Sequence, residues 1–164
     1  MRMAALAMGM ALLITTSRSE CAEIACDAVV VKQAWDLLKL ARYGQSNQEH
    51  AAFIMRDADG DYHFMIWHDQ QEFCRATYPG GLPRNAVAII HTHPNSVPYP
   101  SDGDAQLALR AGLPVYVVTR TMISRTTGRG VEHVWDGDWD PERPRGGVRS
   151  ICRNSVAVAD IALR

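Results

Sequence analysis

The chain of 164 residues has almost no net charge: 17 basic side chains face 18 acidic ones, a balance of −1 with the histidines neutral. That excludes the broad basic field that holds nucleic acid without sequence preference, and there is no acidic tail either. No stretch comes near the roughly 20 apolar residues a transmembrane helix requires. The chain also lacks Gly-x-Ser-x-Gly, His-Glu-x-x-His and the glycine-rich phosphate loop, so the commonest serine-hydrolase, zincin and nucleotide-binding signatures are missing. Its 4 cysteines, at 21, 26, 74 and 152, form no Cys-x-x-Cys pair, which argues against a cysteine zinc knuckle or a thioredoxin-like centre.

What is present fits one compact domain with a core, at 47% hydrophobic and 21% charged residues. Met1-Arg2 precedes an apolar run from Met3 to Ile14, and small polar residues follow. A basic start, a short apolar centre and Ser17 and Ser19 at the recognised positions describe a secretory signal peptide over 1–19, with the cut between 19 and 25. The other reading of this run is a buried N-terminal helix. Export to a periplasmic or extracellular compartment would suit 4 cysteines. They allow three pairings, among which a bridge from Cys26 to Cys152, tying the two ends, is favoured; small buried thiols are the plainer reading.

Apolar residues from Val30 to Ala41 recur at spacings of three and four, so a helix is expected from Asp27, its cap, to about Tyr43, with Gly44 ending it. Glu49 to Asp57 and Tyr62 to His68 read as a hairpin joined by Asp59-Gly60-Asp61. The acidic run there is a turn rather than a calcium loop, because its glycine is at the fourth position and His68 stands where a closing glutamate belongs. Ala86 to Ile90 is continuously apolar, as a strand buried on both faces would be. A helix from Ser101 to Gly112 and a strand from Val115 to Thr119 follow. Strand, helix, strand implies a crossover unit, and the expected fold is an α/β (α+β) domain with a single mixed sheet flanked by helices. After a turn at 126–130, Val131 to Trp135 reads as an edge strand, 136–147 as a surface loop, and Ser150 to Leu163 as a last helix.

The chemistry concentrates at the end of the buried strand. His91 and His93 are two apart, so a strand turns both imidazoles to one side. Neutral imidazole is a good zinc ligand, and a catalytic zinc keeps three protein ligands and a water. Asp104 can be the third ligand, since Pro94, Pro98 and Pro100 stiffen the loop that returns the chain to a helix with Asp104 in its first turn, where the helix dipole favours a carboxylate. Each residue has a plain structural reading too. Ser101-x-x-Asp104 is close to a capping box, the histidines are ordinary polar residues at a strand end, Glu49 is an exposed carboxylate, and His50 stands near enough to substitute for either histidine.

His91-Thr92-His93-Pro94, six residues, Ser101, two residues and Asp104, with Glu49 upstream at a strand start, resembles the JAMM (MPN-plus) metallopeptidase family. The resemblance covers the chain from the first helix to the strand after Asp104, and marks 27–164 as the domain. It implies His91, His93 and Asp104 as Zn2+ ligands, Glu49 as the base that holds and deprotonates the attacking water, and Ser101 as a hydrogen-bond donor to the oxyanion. One departure is visible: Ala51 and Ala52 stand where members of the family often carry glycine. Zinc deaminases share a related layout, but their His-x-Glu and Pro-Cys-x-x-Cys are absent. The expected function is an exported zinc hydrolase cleaving a peptide or isopeptide amide, on a peptide, a protein or a cell-wall peptide. The alternative is a silent binding or scaffold module of the same fold.

Overall fold

A computed structural model describes residues 24–67, 76–143 and 149–152. Cys21, Cys74, the expected leader over 1–19 and most of the expected last helix lie outside the described residues. A short 3-10 turn, Ile24–Cys26, leads into α1, Ala28–Leu40, and the elements β1 (Ala51–Arg56), β2 (Tyr62–Ile66), β3 (Ala86–Thr92), α2 (Asp102–Ala111), β4 (Val115–Thr119), β5 (Met122–Thr126), β6 (Val131–Asp136) and β7 (Arg149–Ser150) follow. The strands form one mixed sheet in the order β2-β1-β3-β4-β5-β6-β7. β3 and β4 are parallel and flank the α2 crossover in sequence, whereas every other neighbouring pair runs antiparallel. The α+β sheet with flanking helices is thus the expected one.

The two faces of the sheet carry two cores. Ala52, Ile54, Ala88, Ile90, Tyr116 and Val118 point to the face covered by α1, which contributes Val30, Val31, Ala34, Trp35, Leu37 and Leu38. The alternate residues Phe53, Met55, Ile89 and Val115 meet Ala108 of α2. Period-two alternation in strands buried on both sides produces this division. Asp27 caps α1 by accepting from the Val29 and Val30 amides. α1 stops at Leu40 rather than near Tyr43, because Arg42, Tyr43 and Gly44 all take positive φ (50°, 57° and 74°).

The C-terminal half departs from expectation in three places. β5 has no counterpart in the sequence reading; the Arg120-Thr121 link from β4 contains none of the Gly, Asn or Asp that announce a two-residue hairpin. β6 is not an edge, since β7 pairs beside it, and Ser150 therefore belongs to a strand instead of opening a helix. The segment after Asp136 is not wholly superficial either. Trp139 is 3% exposed, meets Trp35 edge-on at 5.0 Å and donates from its indole to the Thr119 carbonyl.

Cys26 and Cys152 form a disulfide across a sequence separation of 126. The Trp135 indole donates to the Ala25 carbonyl next to it, so the bridge closes the chain's two described ends over the same core. A loop this long restricts the unfolded chain, and a bridge of this kind contributes about 2–4 kcal/mol. Urea unfolding with and without reductant should show a loss of that order. The double variant Cys26→Ser/Cys152→Ser should match the reduced protein; coincident curves for oxidised and reduced protein would contradict the bridge.

Candidate metal centre

The site forms where the parallel pair ends and the crossover helix begins. His91 is on β3, opposite Ala51 of β1, and His93 is one residue beyond the strand. Pairing continues past the strand's end: the His93 amide donates to the Val118 carbonyl of β4 at 3.0 Å. The segment before β1 is fastened in the same way, with the Thr92 amide donating to the His50 carbonyl at 2.9 Å and the His50 amide to Thr92 Oγ1 at 3.0 Å. Glu49 therefore stands just ahead of β1, which starts at Ala51, and is held over the histidines. Ala51 is buried directly beside His91 and lines the cleft, so the departure from glycine still leaves a small residue there.

His91 and His93 are 5% and 7% exposed, and their Nε2 atoms are 3.0 Å apart. Two nitrogens sharing one tetrahedral zinc at about 2.0–2.1 Å would be separated by about 3.4 Å, a close match. His93 Nδ1 is 2.9 Å from the Val97 carbonyl, an acceptor only, so Nδ1 donates there and Nε2 is the nitrogen turned toward His91. This carbonyl left no trace in the sequence, because any residue provides one. Burial lowers the His91 pKa to about 4, with Asp104 opposing the shift and His93 adding to it, so the ring is neutral at pH 7.

Ser101 and Asp104 form a complete capping box: the Asp104 amide donates to Ser101 Oγ, while Asp104 Oδ2 accepts from the Ser101 amide at 2.6 Å and its hydroxyl at 2.7 Å. The structural reading of this pair is thus correct. It does not use the whole carboxylate, since Oδ1 lies 3.2 Å from His91 Nε2. Oδ2 is 3.8 Å from His93 Nε2, and Glu49 Oε1 is 3.9 Å from the same nitrogen. Glu49, His91 and His93 have ligand atoms all within 4.8 Å of one another and lie close enough to bind one metal ion. Asp104 falls outside that group of three although it approaches the imidazoles more closely than Glu49 does, so the two carboxylates flank the histidine pair without meeting. Burial raises the Glu49 pKa, the charge of His93 works against that rise, and Asp104 adds to it. His50 is not part of the group; its backbone is tied to Thr92, and burial lowers its pKa.

Asn95, directly after His93-Pro94, is a residue whose role the sequence does not announce. Its amide donates to the Gly44 carbonyl at 3.0 Å, its side-chain Nδ2 to the Tyr43 carbonyl at 2.8 Å, and its Oδ1 accepts from the Arg120 amide at 2.9 Å. A Cβ on Gly44 would fall 2.5 Å from Asn95 Oδ1, and the backbone there has φ of 74°, so only glycine fits. Beneath the site opens a cleft of about 700 Å³, whose lining includes Glu49, His91, His93, Ser101 and Asp104 at one end and Phe53, Trp67 and Tyr78 beyond them.

The neutral state of His91 has a stability consequence. Its folded pKa is below the ordinary 6.5, so between about 6.5 and about 4 the unfolded chain takes up a proton that the folded chain refuses. Its contribution to stability is complete above 6.5 and is lost as the pH falls toward 4. Urea unfolding of metal-free protein at about pH 7 and about pH 5 should therefore show a larger acid-side loss for wild type than for His91→Gln. Equal losses would mean that burial does not hold the ring neutral.

Comparison with curated proteins and with solved structures gives no match. A family model does match: the one described as prokaryotic homologs of the JAB domain, over residues 11–135. The region spans both histidines, Ser101, Asp104 and Glu49, in agreement with the JAMM/MPN resemblance carried by their spacing. With that match over most of its length and this fold beneath it, the chain belongs to the prokaryotic JAB-domain family.

Proposed function

We propose that the protein is an exported zinc-dependent hydrolase that cleaves a peptide or isopeptide amide bond. The single observation that carries this reading is the convergence of two buried imidazole nitrogens, 3.0 Å apart, between two separate carboxylates. Gathering four ionisable groups, three of them buried and Glu49 partly so, is costly unless something charged or hydrogen-bonded compensates them, and a divalent cation does so. The donor set is neutral nitrogen and carboxylate oxygen, which suits zinc.

In this reading His91 Nε2, His93 Nε2 and Asp104 Oδ1 hold the ion, while the capping box keeps Oδ2 occupied and so orients the carboxylate. Zinc, when bound, supplies Lewis-acid polarisation and eases deprotonation of water near neutral pH. Glu49 is the general base: it takes the proton from the attacking water and passes it to the leaving amine. The upward shift that burial gives its carboxyl suits both transfers. Ser101 is the oxyanion donor. Its single hydroxyl proton is engaged by Asp104, so turning it toward the substrate breaks that bond, and the Ser101 amide then retains the carboxylate alone. The apolar run before Thr15 and the Cys26–Cys152 bridge support export, and a mature N-terminus between residues 19 and 25 is the expected result of sequencing the exported protein.

The purified protein should take up about one zinc per chain. Asp104→Ala should lose the metal, whereas Glu49→Gln should retain it while kcat on a cleaved peptide drops by about 10²–10⁴. Metal analysis beside a peptide-library assay separates the two roles. Full activity in Glu49→Gln, or a wild type that binds no zinc, would sink the proposal. Metal retention by Asp104→Ala and loss by Glu49→Gln would instead exchange ligand and base.

A further inference from the structure

The far wall of the cleft is made of rings. Phe53, Trp67 and Tyr78 have centroids 5.0, 5.0 and 5.4 Å apart at interplanar angles of 53°, 88° and 40°. Phe53 belongs to the smaller core at 3% exposure, but Trp67 and Tyr78 are only half-buried and line the cleft with Leu107 and Leu82. Tyr78 stands in the irregular segment before β3, and a Cβ on Gly80 would lie 2.6 Å from its ring, so the glycine makes room for that ring. The Trp67 indole N–H is buried and has no acceptor among the described residues, an unmet demand on a residue that lines the cleft.

The wall lies at a telling distance from the reacting centre. Ala51 is the register partner of His91, and Phe53 is two residues further along the same face of β1, about 7 Å at the rise of a strand. That is one or two residues of an extended peptide. Tilted aromatic rings welcome a further ring edge-on or offset, in geometries that add to simple apolar burial. Among the described residues lining the cleft, the charged side chains besides the histidine pair are Glu49, Asp104 and Arg110, and Arg110 is the one arginine or lysine.

We infer that Phe53, Trp67 and Tyr78 form a specificity subsite that takes the aromatic side chain of a substrate residue next to the scissile amide. This rests on the hydrolase reading above, which it deepens by naming a substrate class: peptides with Phe, Tyr or Trp beside the cleaved bond. Large aliphatic side chains rank second, and small or charged ones last.

The test has two arms. In the first, zinc-loaded wild type and its Tyr78→Ala and Trp67→Ala variants are compared on peptides differing only in the residues flanking the cleaved bond. Wild type should favour the aromatic peptide over the alanine peptide by at least about tenfold in kcat/KM, and the variants should reduce that ratio below about threefold. Trp67→Phe, which keeps a ring, should preserve most of it and serves where Trp67→Ala does not fold. In the second arm, N-acetyl-phenylalaninamide and N-acetyl-alaninamide are titrated into Glu49→Gln, with tryptophan fluorescence and side-chain NMR as readouts. Only the aromatic amide should bind, with shifts at Trp67 and Tyr78 that Tyr78→Ala abolishes. Hydrolysis without aromatic preference overturns the subsite and leaves the hydrolase standing. Aromatic binding without hydrolysis of any peptide does the reverse, and absence of both removes both.

Discussion

The hydrogen bond from the His93 amide to the Val118 carbonyl extends the parallel pairing of β3 and β4 beyond the end of β3, and the site depends on it. Parallel neighbours need a crossover, and here the crossover is α2, whose first turn must return to the same end of the sheet that β3 has just left. The chain therefore leaves the sheet at the histidines and re-enters the fold at Ser101 and Asp104. A proline-rich loop joins these points, fixed by Val97 to His93 and by the Pro98 carbonyl to the Ser124 hydroxyl of β5. Topology thus brings a strand end and a helix start together, and the side chains at those two places become the chemistry.

Electrostatically the site is a concentration of groups that water would hold more comfortably. His91 is neutralised by burial, and Glu49 is pushed toward its protonated form. The Asp104 carboxylate is compensated locally, because its Oδ2 accepts from both the amide and the hydroxyl of Ser101. The same contacts that start α2 orient the carboxylate, so helix stability and site geometry are a single arrangement. Capping the helix and presenting a carboxylate oxygen to His91 are therefore not rival explanations of Ser101-x-x-Asp104.

Much of this was legible in the residues. Continuous apolarity marked β3, the 3-and-4 spacing marked α1, and the histidine, serine and aspartate spacing marked the family and a candidate site. What escaped detection did so for identifiable reasons. β5 follows a turn without turn residues, and its inward-facing Ser124 and Thr126 blur the alternation that identifies a strand. Trp139 is hidden in a stretch of Asp, Pro, Arg and Gly, where composition speaks for solvent and one large ring speaks for the core. Backbone carbonyls, such as that of Val97, carry no signature at all. The aromatic wall draws Phe53, Trp67 and Tyr78 from β1, the end of β2 and a loop, and only the folded sheet shows that they are neighbours.

Asn95 gives the cleft a mechanical asymmetry. Through it the histidine loop, the left-handed bend at Arg42–Gly44 and the Arg120 turn are bonded into one block, reinforced where the Arg120 guanidinium rests over the Trp35 and Tyr43 rings. On the opposite wall Tyr78 stands outside regular secondary structure and packs against the Phe53 and Trp67 rings. One side of the cleft is thus tied by backbone and side-chain hydrogen bonds near the two imidazole nitrogens, and the other is made of rings packed on one another. The fit of the first side is governed by Gly44, a residue outside the histidine pair whose missing Cβ leaves room for Asn95.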